Sequence, residues 1–198
     1  MNLDASIEHV LQLEITQERR EILQVLIDYI QLKKTNDEVI NLNFICTHNS
    51  RRSQFAQVWA AVAAHAFGIK ITSLSGGVEV TAFNERAVDS LKRFGFILSS
   101  NNTSNPVYEL EYALNTEPLK MFSKLFDDEV NQKEKFAAVM TCDHADENCP
   151  VIPGTEERIS INYTDPKEFD DTPMEAKMYD ERSAQIASEM FFVFSKIN

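Results

Sequence analysis

The first forty residues carry two stretches in which apolar side chains recur at helical spacing. In the first stretch Ile7, Val10 and Leu11 share one face. In the second stretch an apolar stripe follows Thr16, whose hydroxyl can cap a helix, and the stripe consists of Leu23, Leu26, Ile27 and Ile30. The pattern predicts a helical extension over residues 1–38. Such an extension either packs on the main domain as an extra layer or forms an arm that binds a partner.

From residue 39 onward, short apolar strands alternate with amphipathic helices. Residues 39–45 and 69–74 have the composition of strands, and the Ser-Gly-Gly of residues 75–77 indicates a turn. A helix follows each strand, the first capped by Ser53 and the second capped by Asn84. This alternation predicts an α/β domain with a parallel sheet over residues 39–198.

The second half of the chain is less regular until residue 136. Apolar side chains at positions 119, 122, 125 and 126 predict one short helix within residues 105–135, a stretch that we interpret as an insertion at the domain edge. Residues 136–141 and 158–162 are predicted strands. Thr172-Pro173-Met174-Glu175 has the pattern of a capping box with proline at the first helical position, and it opens a long C-terminal helix.

Composition and charge limit the function classes. The 198 residues are 43% apolar and 25% charged, which is typical of one globular domain. The net charge is 19 − 31 = −12, which argues against nucleic acid or an anionic membrane as a partner. We find no membrane span and no signal peptide, and three cysteines fit a reducing compartment, so we expect a cytoplasmic protein.

The candidate chemistry lies in the loop between the first predicted strand and its helix. A loop in this position can wrap an oxyanion with backbone N–H groups, with the helix N-terminus behind them. Arg52 adds a planar, bidentate donor, and these positive surroundings favour the thiolate form of Cys46 as a nucleophile. The candidate oxyanion-binding residues are Thr47, His48, Asn49, Ser50, Arg51, Arg52 and Ser53. The simpler alternative is a buried structural cysteine before a basic helix start.

The loop sequence CTHNSRRSQ resembles the phosphate-binding loop of low-molecular-weight protein tyrosine phosphatases and of their relatives, the thioredoxin-coupled arsenate reductases. The resemblance covers about residues 40–104 and 136–198. It implies a four-stranded parallel sheet flanked by helices, to which this chain adds its N-terminal helical segment. Two positions depart from the family pattern, because many members have Gly at the position of His48 and a second Cys at that of Arg51.

The phosphatase branch needs an acid for the leaving oxygen. Asp165, followed by Pro166, matches the Asp-Pro general acid of the superfamily, although outside that context it could be a solvated turn residue. Phosphotyrosine-specific members commonly place aromatic residues directly after this pair. Here Lys167 and Glu168 follow, which weakens the phosphotyrosine interpretation.

The reductase branch needs further thiols, and the segment CDHADENCP supplies Cys142 and Cys149. In the reductase family a similar segment carries the second and third catalytic cysteines. Seven residues of helix span about 10.5 Å, whereas a disulfide allows at most roughly 7 Å between Cα atoms. A bond between these two cysteines therefore requires the helix to unwind. Alternatives are a structural role for both cysteines or a zinc site that includes His144.

The resemblance implies an arsenate reductase that passes oxidation from Cys46 to Cys142 to Cys149 and then to thioredoxin, with no organic cofactor and no metal. The alternative is a phosphomonoesterase, in which the cysteine pair regulates activity by oxidation. A third possibility is a non-enzymatic oxyanion or redox sensor. The expected ligands are thus arsenate, phosphate or a phosphomonoester, and the expected protein partner is thioredoxin.

Overall fold

The computed structural model describes residues 2–101, 103–148 and 151–198. The helices are α1 (Leu3–Val10), α2 (Gln17–Thr35), α3 (Arg52–Ala66), α4 (Glu85–Arg93), α5 (Asp143–Asn148) and α6 (Glu175–Ser195), with a 3-10 turn at Pro166–Phe169. The strands are β1 (Asn41–Cys46), β2 (Thr72–Gly77), β3 (Ile97–Ser100), β4 (Tyr108–Glu111), β5 (Leu119–Met121), β6 (Phe136–Met140) and β7 (Thr155–Ser160). Within these described ranges, no helix combines the length and the apolar character that a membrane crossing requires.

The main sheet has four parallel strands in the order β2-β1-β6-β7. Helices flank it, so the predicted α/β class with a four-stranded parallel sheet is confirmed. Strands β3, β4 and β5 form a separate antiparallel sheet. The short helix predicted from positions 119, 122, 125 and 126 is wrong, because residues 119–121 pair with β4 as a strand.

Both faces of the main sheet are covered, which explains why every residue of β1 is buried. On one face Leu42 and Phe44 pack into the large core that α3 and α6 complete. Trp59 of α3 is fully buried there, and its indole N–H donates to the Ser183 hydroxyl at 2.9 Å. On the other face Ile45 and its neighbours form a smaller cluster that includes both Cys46 and Cys142.

The predicted N-terminal helices are present and pack against α6 and β7. Thr16 caps α2 as expected, because its hydroxyl accepts a hydrogen bond from the Arg19 backbone N–H at 3.3 Å. The apolar stripe of α2 faces the large core, and Leu23, Leu26 and Ile30 have no exposed surface. The extension therefore forms a layer continuous with the core.

Several element boundaries differ from the sequence prediction. The last strand spans Thr155–Ser160 and not residues 158–162. The Ser-Gly-Gly of residues 75–77 is not a turn but the end of β2, paired with residues 44–46 of β1. The C-terminal helix begins at Glu175 and not at the proline of the predicted capping box. The box residues still act locally, because the Thr172 hydroxyl accepts from the Met174 N–H at 3.2 Å and the Glu175 carboxylate accepts from the Asp171 N–H at 2.7 Å.

Candidate active site

The loop after β1 is held from outside by its carbonyl groups. The carbonyl of Thr47 accepts from the Glu79 N–H at 2.8 Å, and that of His48 accepts from the Ser123 hydroxyl at 2.8 Å. The next two carbonyls are held in the same way: Asn49 by the Gln54 side-chain amide at 2.9 Å and Ser50 by the Asn84 N–H at 3.0 Å. All four carbonyls therefore point away from the loop, toward the surrounding structure.

The orientation of these carbonyls fixes that of the amide groups. In a trans peptide the C=O and N–H groups point in opposite directions, so the N–H groups of residues 48–51 face the inside of the loop. Among the described residues, none of these N–H groups has a hydrogen-bond partner. Together with the N-terminus of α3, they form a concave arrangement of donors suited to an oxyanion.

Cys46 lies at the end of β1 beneath this loop and is 3% exposed. Its Sγ lies 3.1 Å from the Ser53 hydroxyl, which in turn accepts from the Asn49 side-chain amide at 2.9 Å. Because Asn49 donates to Ser53, the Ser53 hydroxyl hydrogen is available to the sulfur. Ser53 is the second residue of α3 and not its N-cap, so its predicted capping role is wrong: its side chain is used by Cys46 instead.

Arg52 and Asp165, two candidate residues that are distant along the chain, lie together. Arg52 Nη2 donates to Asp165 Oδ2 at 2.7 Å, and Nη1 donates to the Tyr163 carbonyl at 3.0 Å. The remaining nitrogen of the guanidinium, Arg52 Nε, is buried and has no hydrogen-bond partner in the described part of the chain. Asp165 also accepts from the Lys167 N–H at 3.1 Å, which caps the 3-10 turn. The sequence signal for Asp165 was the Asp-Pro pair, whereas nothing in the sequence pointed to Tyr163.

The two positions that depart from the family pattern have separate partners. Arg51 Nε donates to the Tyr179 hydroxyl at 2.9 Å, and the guanidinium lies 3.9 Å from Asp165. The His48 ring lies at the surface, with Nε2 3.3 Å from Glu79. Arg51 thus adds positive charge beside the candidate acid, and His48 contributes its carbonyl to the loop framework.

The segment after β5 supports the loop from below, which the sequence analysis missed. Ser123 holds the His48 carbonyl, and the Lys124 N–H donates to Asn49 Oδ1 at 3.1 Å. The Lys124 side chain is only 2% exposed, and its Nζ has no hydrogen-bond partner among the described residues. A polar Ser-Lys pair between Phe122 and Leu125 was the available signal for a buried polar contact.

Cys142 lies next to the loop, immediately before α5, and is 1% exposed. The Thr47 hydroxyl is 3.5 Å from Cys142 Sγ and 3.3 Å from His144 Nδ1. The Cys142 sulfur also accepts from the Ala145 N–H at 3.4 Å. Cys46 and Cys142 are both free thiols. Cys149 lies outside the described residues, so its predicted role and the zinc alternative that includes it stay predictions.

The chain is similar in sequence to arsenate reductases of staphylococci. No family model matches the chain. Arsenate reductase 2 of Staphylococcus haemolyticus is 32% identical over 124 residues, which cover 62% of this chain and 76% of the relative. Arsenate reductase 2 of Staphylococcus epidermidis is 29% identical over 123 residues, with the same coverage of 62% and 76%.

Two solved structures share the fold. The YwlE arginine phosphatase from Geobacillus stearothermophilus is 16% identical, with a TM-score of 0.52 over 79% of this chain and 92% of that one. A low-molecular-weight phosphotyrosine phosphatase from Vibrio cholerae O395 is 11% identical, with a TM-score of 0.51 over 79% of this chain and 94% of that one. At these identities the likeness establishes the architecture alone.

Proposed function

Because the chain belongs to the family of the arsenate reductases, which has the fold of low-molecular-weight protein tyrosine phosphatases, we propose that it reduces arsenate to arsenite by a three-cysteine relay. The Cys46 thiolate attacks arsenic and displaces a hydroxide, forming an S–As(V) bond. The Cys142 thiolate then attacks the Cys46 sulfur. The S–As electron pair stays on arsenic, which leaves as arsenite, and a Cys46–Cys142 disulfide remains.

The relay ends with transfer of the disulfide away from the loop. Cys149 attacks the Cys142 sulfur and releases the Cys46 thiolate, and a thioredoxin dithiol reduces the Cys142–Cys149 disulfide by exchange. The position of Cys142 before α5 supports this step: a helix keeps residues seven apart too distant for a disulfide, so the exchange would unwind α5 and expose the bond to the reductant.

The observation that carries the proposal is the second sulfur beside the loop. Thr47 follows Cys46 directly, and its hydroxyl lies 3.5 Å from Cys142 Sγ. A hydrolytic phosphatase requires no second sulfur at this place. A reductase that works by a thiol relay requires one, because a second thiolate must attack the Cys46 sulfur. The Ala145 N–H donates to the Cys142 sulfur, and the Thr47 hydroxyl lies within hydrogen-bond distance of that sulfur.

The inward N–H groups and the buried Nε of Arg52 support oxyanion binding. A tetrahedral oxyanion offers the acceptors that these donors lack within the described protein. Arg52 and Asp165 hold each other at the mouth of the loop, so the guanidinium is oriented beside the loop before a ligand arrives. Local donors of this kind offset the net charge of −12, which opposes anion binding.

A coupled assay tests the proposal. We expect arsenate-dependent oxidation of thioredoxin by the wild-type protein and its loss in Cys142→Ala and in Cys149→Ala. Peptide mapping by mass spectrometry should detect a Cys46–Cys142 disulfide in Cys149→Ala after exposure to arsenate. Wild-type protein that leaves reduced thioredoxin unchanged in the presence of arsenate would contradict the reductase proposal.

A cavity beside the loop favours a second candidate function, hydrolysis of a phosphomonoester. The cavity has a volume of about 470 Å³ and lies between His48 and Arg51 of the loop and Tyr108 and Lys167 opposite. Arsenate needs no such space, whereas the organic part of a phosphomonoester does. In this case Cys46 would form a phosphoenzyme and Asp165 would protonate the leaving oxygen. Hydrolysis of p-nitrophenyl phosphate should then persist in Cys142→Ala and disappear in Cys46→Ala.

A further inference from the structure

Arg19, near the start of α2, connects the N-terminal extension to the segment that follows β7. Its Nε and Nη2 donate to the two carboxylate oxygens of Glu189 at 2.9 and 2.7 Å. Its third donor, Nη1, contacts the Asn162 carbonyl at 3.2 Å. The guanidinium also lies 5.0 Å from the centre of the Tyr163 ring. One side chain of the extension therefore holds both α6 and the main chain at residue 162.

Glu189 fixes the same segment from the other side. Its carboxylate is 2% exposed and accepts from the Tyr163 hydroxyl at 2.8 Å. Burial and the charge of Glu189 raise the pKa of Tyr163 well above its usual value, so this hydroxyl remains a donor. A buried carboxylate needs a compensating cation, and Arg19 supplies it with bidentate geometry.

Residues 162–165 lead directly into the candidate active site. The Tyr163 carbonyl accepts from Arg52 Nη1 at 3.0 Å, and Asp165 accepts from Nη2 at 2.7 Å. Both hydrogen-bond partners of the Arg52 guanidinium thus belong to residues 162–165. Arg19 holds this segment at the Asn162 carbonyl, and Glu189 holds it at the Tyr163 hydroxyl. A shift of this segment would turn Arg52 and Asp165 together.

We propose that Arg19 is a positioning residue for the oxyanion site, and that residues 1–38 support the active site through it. The inference rests on the proposed oxyanion chemistry at Cys46. Arg19 touches no reacting atom: it acts through the Asn162 carbonyl and through Glu189 on the orientation of Arg52. The extension, which lies outside the family resemblance, thereby contributes to anion affinity.

The test compares Arg19→Gln with Arg20→Gln. Arg20 is the matched control because it lies next to Arg19 on α2 and contacts the Ile15 carbonyl and the Phe192 ring, away from the site. The readout is protection of Cys46 by arsenate against iodoacetamide, quantified on the Cys46 peptide by mass spectrometry. Every protein compared carries Cys142→Ala as well, so the relay cannot oxidise Cys46 and the assay gives an arsenate dissociation constant without turnover. We expect arsenate to bind roughly 10- to 100-fold more weakly to Arg19→Gln, since small misplacements of positioned groups have effects of this size. Arg20→Gln should match the parent Cys142→Ala protein.

Two further variants separate positioning from general stability. Arg19→Lys keeps the charge near Glu189. A single ammonium group cannot donate to both the carboxylate and the carbonyl with the geometry of the planar guanidinium, so we expect an arsenate affinity between those of the parent protein and Arg19→Gln. The double variant Arg19→Gln with Glu189→Gln removes both members of the ion pair, so no carboxylate is left buried without its cation, and the protein should remain folded. It lacks the contacts of Arg19 and should also bind arsenate weakly. If folded Arg19→Gln and the double variant bind arsenate as tightly as Arg20→Gln, Arg19 is merely structural and the inference is overturned.

The same measurements distinguish this inference from the proposed function. Wild-type protein that binds arsenate but does not oxidise thioredoxin would overturn the reductase proposal alone, and the comparison of the Arg19 variants would still decide the positioning role. If arsenate gives Cys46 no protection in Cys142→Ala protein with Arg19 intact, both are overturned.

Discussion

Asn49 and His48 both contribute to the shape of the loop after β1. Asn49 has a φ of +47°, a left-handed conformation that asparagine tolerates better than most residues. Its side chain holds both Ser53 and the Lys124 N–H. His48 is not among the described residues with positive φ, so this position does not require glycine. The departure from the family pattern at His48 is therefore compatible with the same loop shape.

The side chain of Lys124 is buried, which affects the stability of the protein. Burial lowers the pKa of Lys124 to about 8, with only partial compensation from Asp128. At pH 7 the folded protein therefore holds a poorly solvated charge, at a cost of up to about 3 kcal/mol. Lys124→Met should raise the free energy of unfolding at pH 7 by about 1–3 kcal/mol, measured by urea denaturation, because it removes that charge and keeps the length of the side chain.

The pH dependence of this gain follows from the direction of the shift. Between pH 8 and about 10.5 the folded protein loses the Lys124 proton while the unfolded chain keeps it, so wild-type stability rises with pH relative to the variant. The advantage of Lys124→Met should therefore shrink across this window. Lys120→Met, at an exposed position on β5, is the control and should change little at any pH. A gain that does not depend on pH would rule out the buried charge as its cause.

The end of strand β2 lies too close to two other segments for a side chain to fit between them. A Cβ on Gly76 would lie 2.3 Å from Phe126 Cα, and one on Gly77 would lie 2.7 Å from the Asn49 backbone nitrogen. The two glycines look like a turn in the sequence because turns are the commonest reason for such a pair. Here the two glycines allow β2 to pass close to the loop after β1 and to the segment after β5.

These two glycines form a matched pair of variants. Gly77→Ala presses on the loop at residues 48–49, so it should lower stability by about 1–3 kcal/mol and also weaken arsenate binding. Gly76→Ala presses on Phe126 and should lower stability without a comparable loss of binding. Thermal unfolding and the Cys46 protection assay measure the two effects. Equal losses of arsenate affinity in both variants would show that the contact with the loop is not the cause.

The helices that the sequence predicted correctly are specified largely by local contacts. The stripe of α2 and the caps Thr16 and Asn84 depend on neighbours within one turn, and both cap side chains accept the expected backbone N–H groups. The interval from 119 to 126 mimics helical spacing, but residues 119–121 pair with β4, some ten residues away. Strand pairing depends on a partner that periodicity does not identify, so this prediction failed.

The candidate site joins residues that are distant along the chain. A short motif predicted the loop that contains the candidate nucleophile, and the family resemblance predicted Asp165 as part of the site. The supports of the site were not predicted: Ser123 lies 75 residues from His48, and Glu189 lies 170 residues from Arg19. The pattern of one sequence does not predict these long-range contacts, because Ser123 and Glu189 each look like ordinary polar residues in the sequence. Only the fold brings them together.

The N-terminal extension supplies part of the large core. The α2 side chains Leu23, Leu26, Ile27 and Ile30 are buried, and each contributes about 1.5–3 kcal/mol. Their sum is comparable to the whole stability of a typical domain, about 5–15 kcal/mol. Lys33 also pairs with Glu156 of β7 at 2.7 Å. Removal of residues 1–38 should therefore abolish the cooperative thermal transition measured by circular dichroism, whereas removal of residues 1–14, which takes away α1 alone, should lower the midpoint and keep the transition. A cooperative transition in the longer truncation would show that residues 39–198 fold alone, and would leave α2 as a docked arm.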